Sequence, residues 1–250
     1  MLDRSRCVIV VPVYGHIEPA CEDGLREAER AGYMVWRRSG GAAIDVARNR
    51  LATMALDQGF EEIFWVDSDI AFEVSAIDRL RAHEAPLIAA PYPKKATPAF
   101  SFHFAGRHLT LGDAGGVIEV DFASTGFLCT RREVYERMIA LHRLPRCNEV
   151  FGDPFYPFFQ PRIIELGTGH WYLAEDFAFS HRARECGYRV LYDLSVRIWH
   201  IGTYAYSWED SGGDRQRFEH FEIAVHQLEL PELKIERLDP GGAGARTDEP

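Results

Sequence analysis

The chain has 250 residues, 46% hydrophobic and 26% charged, with a formal net charge of -10. That is an ordinary globular composition, long enough for one large α/β domain or two small ones. The acidic balance argues against a general nucleic-acid binder, which needs a basic face, and no uninterrupted apolar run is long enough to cross a bilayer.

The cysteines Cys7, Cys21, Cys129, Cys147 and Cys186 are odd in number, far apart and without a CxxC pair. This is reduced-compartment usage, which argues against a disulfide framework and against structural zinc. The first residues do not lead into a signal peptide, because the apolar run 7–13 is short and has no small-residue cleavage site after it. The expectation is a cytoplasmic protein.

In chain order, the β-branched run 7–13 predicts a central strand buried on both faces, with Pro12 marking its end. Residues 18–31 predict a helix closed by Gly32, and 33–37 a short second strand. A loop at 39–41 precedes a helix over 43–58, stopped by Gly59. The run 62–66 predicts a third apolar strand, 75–83 a helix and 86–90 another buried strand. This β-α-β-α-β-α-β alternation implies a doubly wound, mostly parallel sheet that binds ligands at the C-terminal ends of its strands. After Pro91 the rhythm changes. Shorter strands are expected at 100–104, 108–111 and 117–128, a helix at 131–142, and an aromatic stretch without a clean period over 151–162. A helix at 172–186, strands at 189–192 and 196–200 and a final helix at 215–230 complete the reading, before a low-complexity tail over 239–250 that is expected to be disordered. With no internal repeat or linker, residues 1–238 read as one domain with two halves, a Rossmann-like half over about 1–95 and a smaller mixed half over about 96–238.

The most informative stretch is Phe64-Trp65-Val66-Asp67-Ser68-Asp69-Ile70, an apolar strand that ends in two carboxylates spaced two apart. In an extended chain such residues point the same way, so the two charges converge on a small volume suited to a divalent cation. A polar turn after the strand explains the same letters. Glu175 and Asp176 stand at the start of a helix, where capping accounts for one of them, while the aromatic residues around both suit a general base with a raised pKa. His200 ends another apolar strand; it reads either as a hydrogen-bonded structural residue or as a third protein ligand beside Asp67 and Asp69. Two aspartates and one imidazole leave open positions on Mn2+ or Mg2+ for a diphosphate, and the imidazole tilts the choice towards Mn2+.

The ordered set Val11-Pro12-Val13-Tyr14, Ala47-Arg48-Asn49, Asp67-Ser68-Asp69, Ser124-Thr125-Gly126-Phe127, Glu175-Asp176 and His200-Ile201-Gly202 resembles the GT-A glycosyltransferases, in particular the inverting, family-two-like enzymes of bacteria and their phages. The resemblance spans about 8–202. It implies a GT-A fold with a nucleotide-binding half and an acceptor half. It also implies a metal-dependent transfer of sugar from a nucleotide-diphosphate sugar, a UDP-sugar, to a glycan or other hydroxyl acceptor, with inversion. On this resemblance Pro12, Val13 and Tyr14 hold the nucleotide, with Tyr14 stacking on the base or else a packed turn aromatic. Asp45 and Arg48, three apart on one helix face, meet uracil and ribose or phosphate, or form a solvated ion pair. Asp67 and Ser68 meet the donor, Asp67, Asp69 and His200 the metal, and Thr125, Gly126 and Phe127 the donor sugar. Asp176 is implied as the catalytic base and Glu175 as an orienting acid, with Lys94, Lys95 or Arg131 as assisting cations. The run 155–159 departs from the pattern and reads as an acceptor platform, a core plug or an oligomer contact.

Other classes remain open on the sequence. A sugar-phosphate nucleotidyltransferase needs a Gly-rich, Lys-bearing phosphate loop after the first strand, and 13–17 offers one glycine and no lysine. A phosphohydrolase with an aspartyl nucleophile carries its Asp-x-Asp on the first strand, not the third. A non-catalytic glycan- or nucleotide-binding module keeps the same fold without turnover.

Overall fold

The computed structural model describes residues 2–39, 43–95, 98–106, 108–167, 169–202, 204–212, 217 and 219–224. The strands are β1 (Cys7–Val13), β2 (Met34–Ser39), β3 (Glu62–Val66), β4 (Ile70–Ala71), β5 (Leu87–Ala89), β6 (His108–Gly112), β7 (Val117–Val120), β8 (Phe127–Arg131), β9 (Arg162–Leu166), β10 (Gly169–Leu173), β11 (Val190–Asp193), β12 (Trp199–Ile201), β13 (Ala205–Tyr206) and β14 (His220–Ala224). The α-helices are α1 (Pro19–Arg30), α2 (Ile44–Asp57), α3 (Val74–Ala82), α4 (Arg132–His142) and α5 (Glu175–Glu185).

The central sheet has seven strands in the order β2-β1-β3-β8-β5-β11-β7. β1, β2, β3, β5 and β11 run one way, while β8 and β7 oppose their neighbours. The class is the expected one, α/β with a mainly parallel sheet.

Alternation along the buried strands builds two cores. Val8, Val10, Ile63 and Trp65 pack on one face with residues of α2, α4 and α5. Ile9, Val11, Phe64 and Val66 pack on the other with residues of α1 and α3. Because β1 and β3 are parallel neighbours, Tyr14 and Asp67 leave the sheet at the same edge. The antiparallel pairing Val66↔Phe127 brings the start of β8, and hence Gly126, to that edge as well.

Four expectations are corrected. The stretch 117–128 is two strands, not one, and the chain leaves the sheet between β7 and β8. Residues 100–104 form no ladder: Phe100 and Phe102 are buried, but the backbone pairs only at the single bridges Pro93↔Phe100 and His103↔Phe122. Tyr172 and Leu173 belong to β10, where Tyr172 faces Ile163 across a hairpin, so the helix begins only at Glu175. Of the helix expected over 215–230, residues 220–224 are instead β14, antiparallel to β6, and most of the remainder lies outside the described residues, as does the tail.

Candidate active site

Asp67 sits at the tip of β3. Its backbone N–H donates to the Gly126 carbonyl at 2.9 Å, and the Gly126 N–H donates to the Tyr92 hydroxyl at 3.1 Å. A Cβ at Gly126 would lie 2.3 Å from that hydroxyl and 3.0 Å from an Asp67 carboxylate oxygen. Only glycine allows the two strand ends to approach this closely.

Asp67 Oδ1 accepts from Arg48 Nη2 at 2.8 Å, and Arg48 Nη1 donates to Glu175 Oε1. Arg48 is 4% exposed. Burial opposes its charge, but the carboxylates of Asp67, Glu175 and Asp176 raise its pKa further above the usual arginine value. One guanidinium thus ties the strand-end acid to the helix-start acid, 108 positions away in the chain.

The aromatic run explains how Arg48 and Glu175 come to meet. Phe158 and Phe159 are fully buried. The Phe159 ring stacks on Phe179 of α5, with centroids 4.4 Å apart, while the Phe159 N–H donates to Asn49 Oδ1 of α2 at 2.7 Å. The Tyr156 N–H donates to Thr53 Oγ1, also on α2, at 2.9 Å. The run is therefore a core plug that pins α2 to α5 directly beside Arg48, not an exposed acceptor platform.

Asp69 lies in the turn between β3 and β4. Antiparallel pairing of β4 with β12 sets His200 opposite Ile70, and the Ile201 N–H donates to the Asp69 carbonyl at 2.7 Å. His200 Nε2 consequently stands 3.4 Å from Asp69 Oδ2. On its other side Nδ1–H donates to the Pro93 carbonyl at 2.9 Å. A carbonyl only accepts, so Nδ1 carries the proton, and in the neutral ring Nε2 presents its lone pair to the carboxylate. Lys95 Nζ donates to the same Asp69 oxygen at 2.6 Å. Burial works against ionisation of Asp69, but the hydrogen bonds that a doubly protonated His200 and Lys95 donate to it pull its pKa down to about 2.

The Asp69–His200 pair fits a divalent cation. In the neutral ring a carboxylate oxygen and an imidazole lone pair face each other, and the Pro93 carbonyl fixes the far ring nitrogen, as backbone carbonyls do for metal-bound histidines. Asp67 turns instead to Arg48, and among the described residues no three His, Cys, Asp or Glu side chains gather as a metal cage.

Glu175 and Asp176 open α5, whose N-cap Ala174 offers no side-chain cap. Asp176 is half-buried, and its Oδ1 accepts from the Phe177 N–H at 2.7 Å. Burial, then the charge of Glu175, push its pKa up to about 6 against the pull of Arg48.

The other expected residues lie around this centre with unequal access. Pro12 and Val13 are buried in β1, whereas Tyr14 just beyond it is 80% exposed. Ser68 is partly exposed and its carbonyl accepts from the Glu18 N–H at 2.8 Å. Asp45 is partly exposed in the first turn of α2, while Arg48 on the next turn is directed inward to the acids. Thr125 is buried with its hydroxyl unpartnered among the described residues. Of the three candidate assisting cations only Lys95 reaches the site. Arg131 lies 3.7 Å from Glu62 at the opposite end of β3, and Lys94 is exposed. Sequence reasoning missed Tyr92 and Pro93, whose roles rest on a hydroxyl and a carbonyl; the rigid Pro91-Tyr92-Pro93 loop was the available signal.

No protein-family model matches the chain, and no curated protein matches it in sequence. Among solved structures, A197 from STIV is similar with a TM-score of 0.56 at 16% identity, over 94% of this chain and 98% of that one. GalNAc-T7, in a crystal structure with UDP, GalNAc and Mn2+, gives a TM-score of 0.44 at 12% identity over 78% of this chain and 43% of its own. A glycosyltransferase involved in glycosylation of the major capsid of PBCV-1 gives 0.30 at 14% identity over 52% of this chain and 62% of its own. At 16% identity the likeness to A197 is one of fold alone.

Proposed function

We propose that the chain is a metal-dependent glycosyltransferase that moves a sugar from a nucleotide-diphosphate sugar, a UDP-sugar, to an acceptor hydroxyl with inversion at the anomeric carbon. The reading is carried by one observation: Asp67 and Glu175, one acid from each of two pairs remote in sequence, share Arg48 where β3 ends. Exposed Tyr14 and partly exposed Ser68 stand at the same edge, where a nucleotide would lie.

Asp176 is the base. It takes the proton of the acceptor hydroxyl as that oxygen attacks the anomeric carbon and the nucleoside diphosphate departs. A pKa of about 6 leaves it ionised at neutral pH yet basic enough to accept a proton. Glu175, held by Arg48, orients the sugar, and Gly126 lets the Tyr92 hydroxyl and the Asp67 carboxylate close in at the donor side. Asp69 and His200 would hold the cation, which supplies charge stabilisation to the leaving diphosphate.

Thermal denaturation with a panel of nucleoside diphosphates plus Mn2+ tests this reading. UDP with Mn2+ is expected to raise the melting temperature. Failure of every nucleotide to do so, with or without metal, overturns it.

A further inference from the structure

We propose that Lys95 is the resident cation of the Asp69–His200 pair in the metal-free chain, and that a divalent ion binds there by displacing its ammonium. The inference rests on the proposed metal dependence and concerns a residue to which that reading gives no role.

The geometry is specific. Lys95 Nζ donates at 2.6 Å to Asp69 Oδ2, the same oxygen that His200 Nε2 faces at 3.4 Å. The cation therefore sits on the atom that a metal would need. The lysine stem is fitted to its place: a Cβ at Gly202 would come within 3.0 Å of Lys95 Cδ and 3.2 Å of Tyr206. Gly202 thus leaves the channel through which Lys95 reaches the acid. Asp69 and Lys95 are each about one-third exposed, at 32% and 33%, so the pair is open to exchange rather than locked in the core. An unpaired Asp69 beside an imidazole lone pair is unfavourable, and one of two cations relieves it. Since both need the same oxygen, they exclude each other.

Two consequences follow from that exclusion. Metal alone binds weakly, because the lysine contact must be broken first. Metal together with a nucleoside diphosphate binds more tightly, because the released ammonium gains a phosphate to pair with. The linkage is reciprocal, so metal and nucleotide each strengthen the other through Lys95.

The test is titration of Mn2+, followed by electron paramagnetic resonance of the free ion, with and without UDP. The proteins are the parent chain and its Lys95→Met, Lys95→Arg and Asp69→Asn variants. Lys95→Met keeps the stem and removes the charge. It is expected to bind Mn2+ roughly five- to tenfold more tightly than the parent when UDP is absent, and to show a smaller gain on adding UDP. Lys95→Arg retains the cation and is expected to stay weak; Asp69→Asn is expected to lose the site. If the parent binds Mn2+ through Asp69 but Lys95→Met binds it no more tightly, the displacement is overturned and the metal reading stands. If none of the proteins binds Mn2+ even with UDP, the metal reading falls and this inference with it.

Discussion

At Asp176 a single carboxyl is set between opposing charges, Glu175 raising its pKa and Arg48 lowering it. The two neighbours therefore make opposite predictions for the pH dependence of transfer. Activity in the parent should rise with pH and level off above about 6, as the base ionises. Glu175→Gln should move that limb to lower pH and Arg48→Met to higher pH, read from initial rates across a pH series. Asp176→Asn should lower transfer about a hundredfold or more while leaving UDP binding nearly intact by calorimetry. Arg48→Met also leaves the partly exposed Asp67 and Glu175 without their shared counter-ion, which should lower unfolding free energy by about 1–3 kcal/mol. Arg48→Lys keeps the charge but loses the fork that reaches two acids at once, so chemical denaturation should place it between parent and Arg48→Met.

The elements that carry these residues are held by packing that touches no ligand. Phe159 stacks on Phe179 and meets Trp65 edge-on at 5.1 Å, so Phe159→Ala opens a cavity where α2 and α5 meet. It should cost about 3–5 kcal/mol in denaturant unfolding and slow transfer beyond any loss of folded protein, because Arg48 and Glu175 lose their common support. In the sequence, Phe158 and Phe159 read equally well as an exposed sugar platform, since an aperiodic aromatic run carries no burial signal. The strand at 62–66 was legible to the residue, being apolar after Glu62 and buried on both faces. The Phe100–Phe104 stretch alternates apolar and polar residues as a half-buried strand would, but buries Phe100 and Phe102 without a ladder. Tyr172 and Leu173 continue the apolar period of α5 backwards, and only their pairing with Ile163 and Arg162 reveals a strand. Asp67, Asp69 and Asp176 were legible because carboxylates at element ends are chemically conspicuous. The partners that decide their behaviour were only half legible: Arg48 read as a nucleotide contact or a solvated ion pair rather than a bridge between two acids, and Lys95 as one of three assisting cations with nothing to tie it to Asp69.

Across the whole molecule, a strained acid leaves its mark on the pH dependence of stability. Burial and the charge of Glu175 raise the pKa of Asp176 in the folded chain from the ordinary aspartate range to about 6. The folded state therefore binds its proton more tightly than the unfolded state does. Its contribution to stability is fully present below the unfolded value and is lost as pH rises through the folded one. Above about pH 6 the ionised carboxylate is a net burden on the fold, of the kind a functional site carries for its chemistry. Asparagine at this position is neutral at every pH, so Asp176→Asn should be indifferent or slightly costly at about pH 4 and stabilising at about pH 7. Melting temperatures of parent and variant measured across that interval should diverge, with the variant gaining on the parent as pH rises. Parallel curves would mean that Asp176 carries no such penalty, and the activity limb near pH 6 would then have to belong to another group.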